Sequence, residues 1–215
     1  TEAFLASLFS VSEVAVSDES VKVIVPDEMT AERFLEGNVY ESLVSLDEDL
    51  SFEPGLAVSF GRVSPLVWNF HLREGVKFHD GSSFEAEDVL MSLEESGIGK
   101  VTSKSDFEIV VETAKPDPLL LSRLARMSIR SGEEGTGAYR FVDGVFERFE
   151  DYWGEEPYFA RVEMAVFVDK NERVSSFVQD GGAGVLAFVP FDAVDFLSDK
   201  GFEVLALPSL EVQFL

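Results

Sequence analysis

The sequence predicts an α/β fold: a mixed sheet with flanking helices, interrupted by an inserted β-rich subdomain. Three observations predict it. From residue 138 onward, apolar runs switch between a two-residue and a helical period, reading strand–helix–strand–helix–strand after an initial hairpin. That order favours parallel pairings. Residues 46–131 are instead rich in Gly, Pro and Asp turns and read as hairpins. A hydrophobic fraction of 46% with 20 Phe is enough for a core of domain size. The expected division places 1–45 and 132–215 in the α/β lobe and 46–131 in the insertion.

Residues 3–9 are apolar but short, and read as the end of a packed strand or helix. Val21–Val25 is β-branched and stops at Pro26, a buried strand. Thr30 is placed to cap a helix through about Val44, with Phe34, Leu35, Val39, Leu43 and Val44 at helical spacing. Residues 46–65 read as loop with short strands. Val67–Leu72 alternates faces as a strand, and Gly75 and Gly81 mark turns. Ser82-Ser-Phe-Glu85 has the capping-box pattern ahead of a helix to about Glu95. Phe107–Val111 reads as a strand, Pro118–Ala125 as a short helix and Gly132–Gly137 as a loop. Asp143-Gly144 joins Ala138–Val142 to Val145–Phe149 in a hairpin. Arg161–Val168 is a strand, followed by a helix from Asp169 to about Gln179 and a strand at Gly184–Phe188. A helix at Phe191–Leu197 and strands at Phe202–Leu205 and Glu211–Leu215 complete the expectation.

The charge is the dominant bulk property: 41 acidic against 17 basic residues, net −24. Such a field repels nucleic acid and anionic lipid, so DNA- and RNA-binding functions are disfavoured. The charges are spread along the chain, which describes a solvated acidic surface rather than a tail. Scarce Lys and abundant Val over Ile favour a high-salt habitat over an ordinary acidic extracellular one. No apolar run reaches the roughly 18–20 residues of a membrane span, and without cysteine there is neither disulfide nor thiol chemistry.

Catalytic patterns are sparse. The two histidines, His71 and His79, lie in the strand-and-turn passage, without a Gly-x-Ser-x-Gly elbow and without zinc-site spacing. Structural roles are expected for both. With so many carboxylates, acidic pairs arise by chance and identify no glycosidase-like dyad. Gly132–Gly137 and Gly181–Gly184 lack the Lys-Ser/Thr end of a phosphate loop. Tyr152 and Trp153 could stack on a ligand or pack in a core or hinge. No cofactor or metal is expected.

A set of ordered motifs carries more. Val39-Tyr-Glu-Ser-Leu-Val44, Pro54-Gly-Leu-Ala57, the block from Trp68 to Leu93, Gly135-Thr-Gly-Ala-Tyr-Arg-Phe141 and Asp151-Tyr-Trp-Gly-Glu-Glu-Pro157 follow one another. In that order they resemble the family 5 extracellular solute-binding proteins of ABC importers, the oligopeptide-, dipeptide- and nickel-binding type. The 66–95 block is the most specific, and the resemblance covers about residues 39–215. It implies a periplasmic-binding-protein-like fold, type II (cluster C), that closes on a peptide or small solute and delivers it to an ABC permease. It also implies a non-enzyme in an extracellular or periplasmic setting, anchored by an N-terminal lipid in the full-length protein. Only the first lobe and its insertion are matched, with the second lobe absent. The loop after Val25 is shorter than the family pattern, as is the stretch between Ser96 and Phe107.

Carried over residue by residue, the resemblance nominates Glu28, Met29, Tyr40, Arg130, Thr136, Gly137 and Tyr139 as ligand-binding. Tyr40 and Tyr139 equally suit packing roles, and Arg130 equally suits a surface ion pair. Two other classes compete: a stand-alone interaction or sensor module, and an acidic hydrolase, which would need an acid/base constellation. The high-salt reading predicts a melting temperature that rises from low to molar KCl as screening relieves self-repulsion; a flat response would overturn it.

Overall fold

The computed structural model describes residues 17–205 apart from 48, 95, 182 and 183. The segments 3–9 and Glu211–Leu215 therefore lie outside the described residues. One five-stranded sheet is built from β1 (Ser17–Val25), β10 (Tyr139–Val142), β11 (Val145–Arg148), β12 (Phe159–Val166) and β13 (Val185–Leu186). Its order is β10-β11-β12-β1-β13. β1 runs parallel to β12 and β13, while β10, β11 and β12 meander antiparallel. The β10–β11 turn has positive φ at both Asp143 (50°) and Gly144 (86°). This is the type I′ geometry that matches strand twist.

Alternation along β1 builds both faces of this sheet. Val21, Val23 and Val25 point to one side and pack with Phe34 of α1 (Glu28–Asn38), Phe146 and Val162. Ile24 points to the other, with Phe177 of α4 (Lys170–Gln179), Leu186, and Leu197 of α5 (Val194–Asp199). Lys22, on that side, reaches Asp180 just past α4 at 2.5 Å.

A second, antiparallel sheet has the order β5 (Ala57–Ser64), β6 (Val67–Leu72), β8 (Glu108–Glu112), β7 (Lys100–Ser105). α2 (Ala86–Leu93) and α3 (Leu120–Leu124) contribute to the core that covers it. Val76, Phe78, Phe84, Val89 and Leu93 are all within 1% of full burial, so the 66–95 block is the core of this unit. Two short pairs remain: β2 (Glu41–Ser42) with β9 (Ser128–Ile129), where the chain enters and leaves the second unit, and β3 (Val44–Leu46) with β4 (Phe52–Pro54), a hairpin on that unit's core.

Several elements differ from expectation. α1 begins earlier, because the Asp27 carboxylate accepts from Thr30 N–H at 2.7 Å and makes Asp27 the cap; the same bonds hold its carboxyl below the usual carboxylate range. The helix stops at Asn38, and residues 41–46 are extended instead. There Leu43 and Val44 are fully buried in the second unit's core, and Leu43 O accepts from Gly55 and Ala57. Tertiary burial of an apolar pair thus overrides a helical period. The box at the start of α2 sits three residues later than expected: Asp88 accepts from Glu85 N–H at 2.8 Å, while Ser82 closes a turn with Asp80. β5 is a full eight-residue strand where short strands within loop were expected. β7, wholly unanticipated, is an edge strand whose residues are mostly exposed and carry little apolar signal. The β13 strand covers only Val185–Leu186, and α5 follows a 3₁₀ turn at Phe191–Ala193. Residues 202–205 form no strand; Phe202 instead packs on Phe177 at 5.0 Å between ring centroids.

The units meet at a close backbone approach. A Cβ on Gly135 would lie 1.9 Å from Val39 O, and one on Gly137 2.3 Å from Asn38 O. A Cβ on Gly61, within β5, would meet nothing within 4 Å. Gly135→Ala is therefore expected to lose about 2–3 kcal/mol or more in urea unfolding, and Gly61→Ala to be neutral or stabilising by up to about 1 kcal/mol. Equal midpoints for the two variants would contradict this packing.

Candidate functional site

The chain leaving α1 enters β2, and there one carboxylate gathers the passages beside the joint between the two units, which β2–β9 pairing and His79 cross. Glu41 accepts from Thr136 Oγ1 at 2.8 Å, Trp153 Nε1 at 2.8 Å and Tyr152 Oη at 3.1 Å. Thr136 is fully buried. Gly137 N–H donates to Val39 O, and Gly137 O accepts from His79 Nε2 at 2.9 Å. The His79 ring packs edge-on against Phe149. Burial holds the His79 pKa below its usual 6.5, partly opposed by the bond to Gly137. The ring is therefore neutral at neutral pH, with the tautomer that donates from Nε2. Tyr139 is buried, its hydroxyl donating to Phe159 O at 2.9 Å, and burial pushes its pKa up to about 12. Thr136 and Gly137 are thus engaged at this joint, and Tyr139 in the core of the first sheet, rather than lining an open surface.

Beside this joint, between the C-terminal half of α1 and the second unit, lies a cleft of about 380 Å³. Arg33, Glu36 and Tyr40 line it from α1 and the turn that follows, and Ser45, Arg126 and Ser128 line it from across. Residues 33, 36, 37 and 40 follow helical spacing, which puts them on one face. Arg130 is stacked over the Tyr40 ring, 3.7 Å from its centroid, and pairs with Glu36 at 2.8 Å. Ser128 also donates to Glu36, and the Tyr40 hydroxyl donates to Glu133 O.

Glu28 and Met29 lie elsewhere, in the first turn of α1 at the carboxyl end of β1. Met29 is 60% exposed. Val168 after β12 (81%) and Phe188 and Phe191 after β13 (51% and 95%) are exposed at the corresponding ends of the neighbouring parallel strands. An apolar crest thus follows the carboxyl edge of the sheet, where open α/β sheets bind ligands. The seven nominated residues therefore fall in four places: the crest (Glu28, Met29), the cleft (Tyr40, Arg130), the joint (Thr136, Gly137) and the core of the first sheet (Tyr139). Sequence reasoning missed Glu41, Arg33 and Arg126. Only Glu41 had a signal, its place in the Val39–Val44 motif; an arginine's lack of a partner is visible only in three dimensions.

Among the described residues no three His, Asp or Glu side chains converge to hold a metal ion. No helix among them is long and apolar enough to cross a membrane. His71 lies on the exposed face of β6, 3.2 Å from Asn69 Nδ2.

Comparison with known proteins places this architecture. Residues 51–215 match the model of the bacterial extracellular solute-binding proteins, family 5 (middle region). The chain belongs to this family. Solved structures share its fold. NikA from Staphylococcus aureus in complex with Ni(L-His)2 matches with a TM-score of 0.73 at 21% identity, over 84% of this chain and 46% of that one. DppA from Helicobacter pylori in complex with the peptide STSA matches with a TM-score of 0.72 at 21% identity, over 84% and 49%. A substrate-binding protein from Sinorhizobium meliloti reaches 0.75 at 22% identity, over 87% and 48%. Among curated relatives, the HTH-type transcriptional regulator SgrR of Salmonella typhi is 27% identical over 168 residues, covering 66% of this chain and 30% of that protein. The chain thus spans about 30% of such curated relatives and just under half of the solved ones. Its mixed sheet and β-rich insertion are the binding-protein fold expected from the motifs.

Two variants test the joint. Glu41→Ala strands three donors and is expected to cost about 3 kcal/mol in urea unfolding; a loss within about 0.5 kcal/mol of zero would contradict its tying role. The folded His79 binds a proton less readily than the unfolded one, so the unfolded state takes up more protons as pH falls through 6.5. Stability then falls with pH in that window. Between about pH 7.5 and about pH 5.5, the parent is expected to lose more stability than His79→Gln, which keeps a donor but does not titrate there. Parallel losses would remove His79 as the cause.

Proposed function

We propose that this chain is the solute-capturing first lobe, with its inserted subdomain, of an extracytoplasmic binding protein serving an ABC importer. In this reading residues 1–45 and 132–215 form the lobe and 46–131 the insertion. The observation that carries it is the pairing of an open cleft beside α1 with an exposed apolar crest on the carboxyl edge of the parallel strands. Such an edge is where a second lobe closes over a solute. Peptides or related small solutes are the ligand class, supported by the peptide in DppA and the histidine complex in NikA. The role is capture and delivery to a membrane permease, not catalysis. The location is extracellular or periplasmic, with a lipid anchor in the full-length protein. Tyr40 and Arg130 contribute from the cleft, and Glu28 and Met29 from the crest. Thr136 and Gly137 act one step back, by holding the passages beside the cleft, and Tyr139 by packing the core of the lobe.

A second reading is favoured by the SgrR relatives: the same fold serving as the sensing part of a regulator, where a bound solute alters contacts with a partner. Half a cleft forfeits much of the surface a solute would bury. Calorimetric titration of this chain with short peptides should therefore give affinities weaker than about 100 µM, near 5 kcal/mol of binding free energy. Micromolar binding would overturn the two-lobe reading. A stable, salt-independent dimer in sedimentation would favour the sensor module.

A further inference from the structure

We propose that the cleft beside α1 recognises the oxyanion of a small solute, a carboxylate or a phosphate, through Arg33 and Arg126. This rests on the solute-binding reading and adds the chemical class of the solute.

The chain has ten arginines, all within the described residues. Eight are engaged. Arg123, Arg130, Arg140, Arg148 and Arg161 pair with carboxylates. Arg62, Arg73 and Arg173 donate to backbone carbonyls. The guanidinium groups of Arg33 and Arg126 alone make no hydrogen bond or ion pair among the described residues, though Arg33 acts on Asp27 at longer range, and both line the same cleft. In a chain with 41 acidic residues, carboxylate partners are abundant. Two unpartnered guanidinium groups on one concavity therefore stand out from the use of arginine elsewhere in the molecule.

The acids of the cleft are already occupied. Glu36 accepts from Arg130 and Ser128, and Glu41 from Thr136, Tyr152 and Trp153. The cleft thus has committed acceptors and uncommitted cationic donors, and the group that completes it is an anionic acceptor. Guanidinium groups present planar forks that match the paired oxygens of a carboxylate or phosphate. The volume of about 380 Å³ lies in the range of small-molecule sites. The net charge of −24 repels anions from the surface at large, so capture depends on this local pair.

The test follows the arginine Nε–Hε and backbone amide signals by NMR, using the whole chain at fixed chloride. Three probes are titrated: N-acetyl-trialanine, its neutral C-terminal amide, and inorganic phosphate. Saturable shifts of the cleft signals with N-acetyl-trialanine are expected at millimolar concentration, with at least fivefold weaker response to the amide. Arg33→Gln and Arg126→Gln, both at exposed positions, should each weaken the carboxylate response at least fivefold while leaving the remaining amide spectrum in place. Phosphate binding as tightly as the peptide acid assigns the site to phosphate solutes; weaker phosphate binding assigns it to carboxylates. Equal shifts with acid and amide, a linear unsaturable response, or variants that bind like the parent overturn the oxyanion proposal and leave solute binding standing. Cleft signals that move with no probe overturn both.

Discussion

Glu41 is the point on which the arrangement of the two units depends. Its backbone pairs with Ile129, and its carboxylate gathers donors from Thr136, Tyr152 and Trp153. Three passages far apart in sequence are thereby drawn to one residue just past the end of α1. A carboxylate in this position is costly to desolvate unless its oxygens are satisfied, and here they are. Once it is held, Gly135 and Gly137 can lie directly on the carbonyls of Val39 and Asn38, and His79 can close onto Gly137 O from the second unit. No side chain larger than hydrogen fits that contact.

This joint determines what is left open. Because α1 ends at Asn38 and the chain turns into β2, the last turns of the helix face β9 and the end of α3 across a gap that the Glu36 side chain bridges to Ser128 and Arg130. The gap is the cleft. The other end of α1 stands at the carboxyl edge of the parallel strands, about 16 Å away for an 11-residue helix. The helix thus links two open regions, one polar and one apolar. Arg130 shows how the joint shapes the polar one: stacked on Tyr40 and bound to Glu36, it is part of the wall.

Where local chemistry was decisive, the fold was legible in the sequence. The Asp143-Gly144 hairpin, the Asp169-capped helix α4, the β-branched run of β1 that stops at Pro26 and the turns at Gly75 and Gly81 all depend on residues adjacent in the chain. Local signals misled where burial outweighed them. Val39, Leu43 and Val44 keep a helical period, yet Leu43 and Val44 are needed by a core built from residues up to Ile129. β7 carries almost no apolar pattern, because an edge strand exposed along its length needs none.

The sequence by itself determined the family, since the ordered motifs from Val39 to Pro157 specify turns, caps and core positions that each act over a few residues. It determined the acidic surface as well, because charge is a sum over composition. Only the tertiary structure decided which motif residues are left open and which are packed away. Thr136, Gly137 and Tyr139 stand in the same motif style as Tyr40, but the first two are consumed in the joint and the third in the core of the first sheet. Arg33 and Arg126 belong to no motif, yet they are left without partners on one cleft. Whether a side chain is spent or available depends on which groups reach it through space, and sequence spacing carries no measure of that.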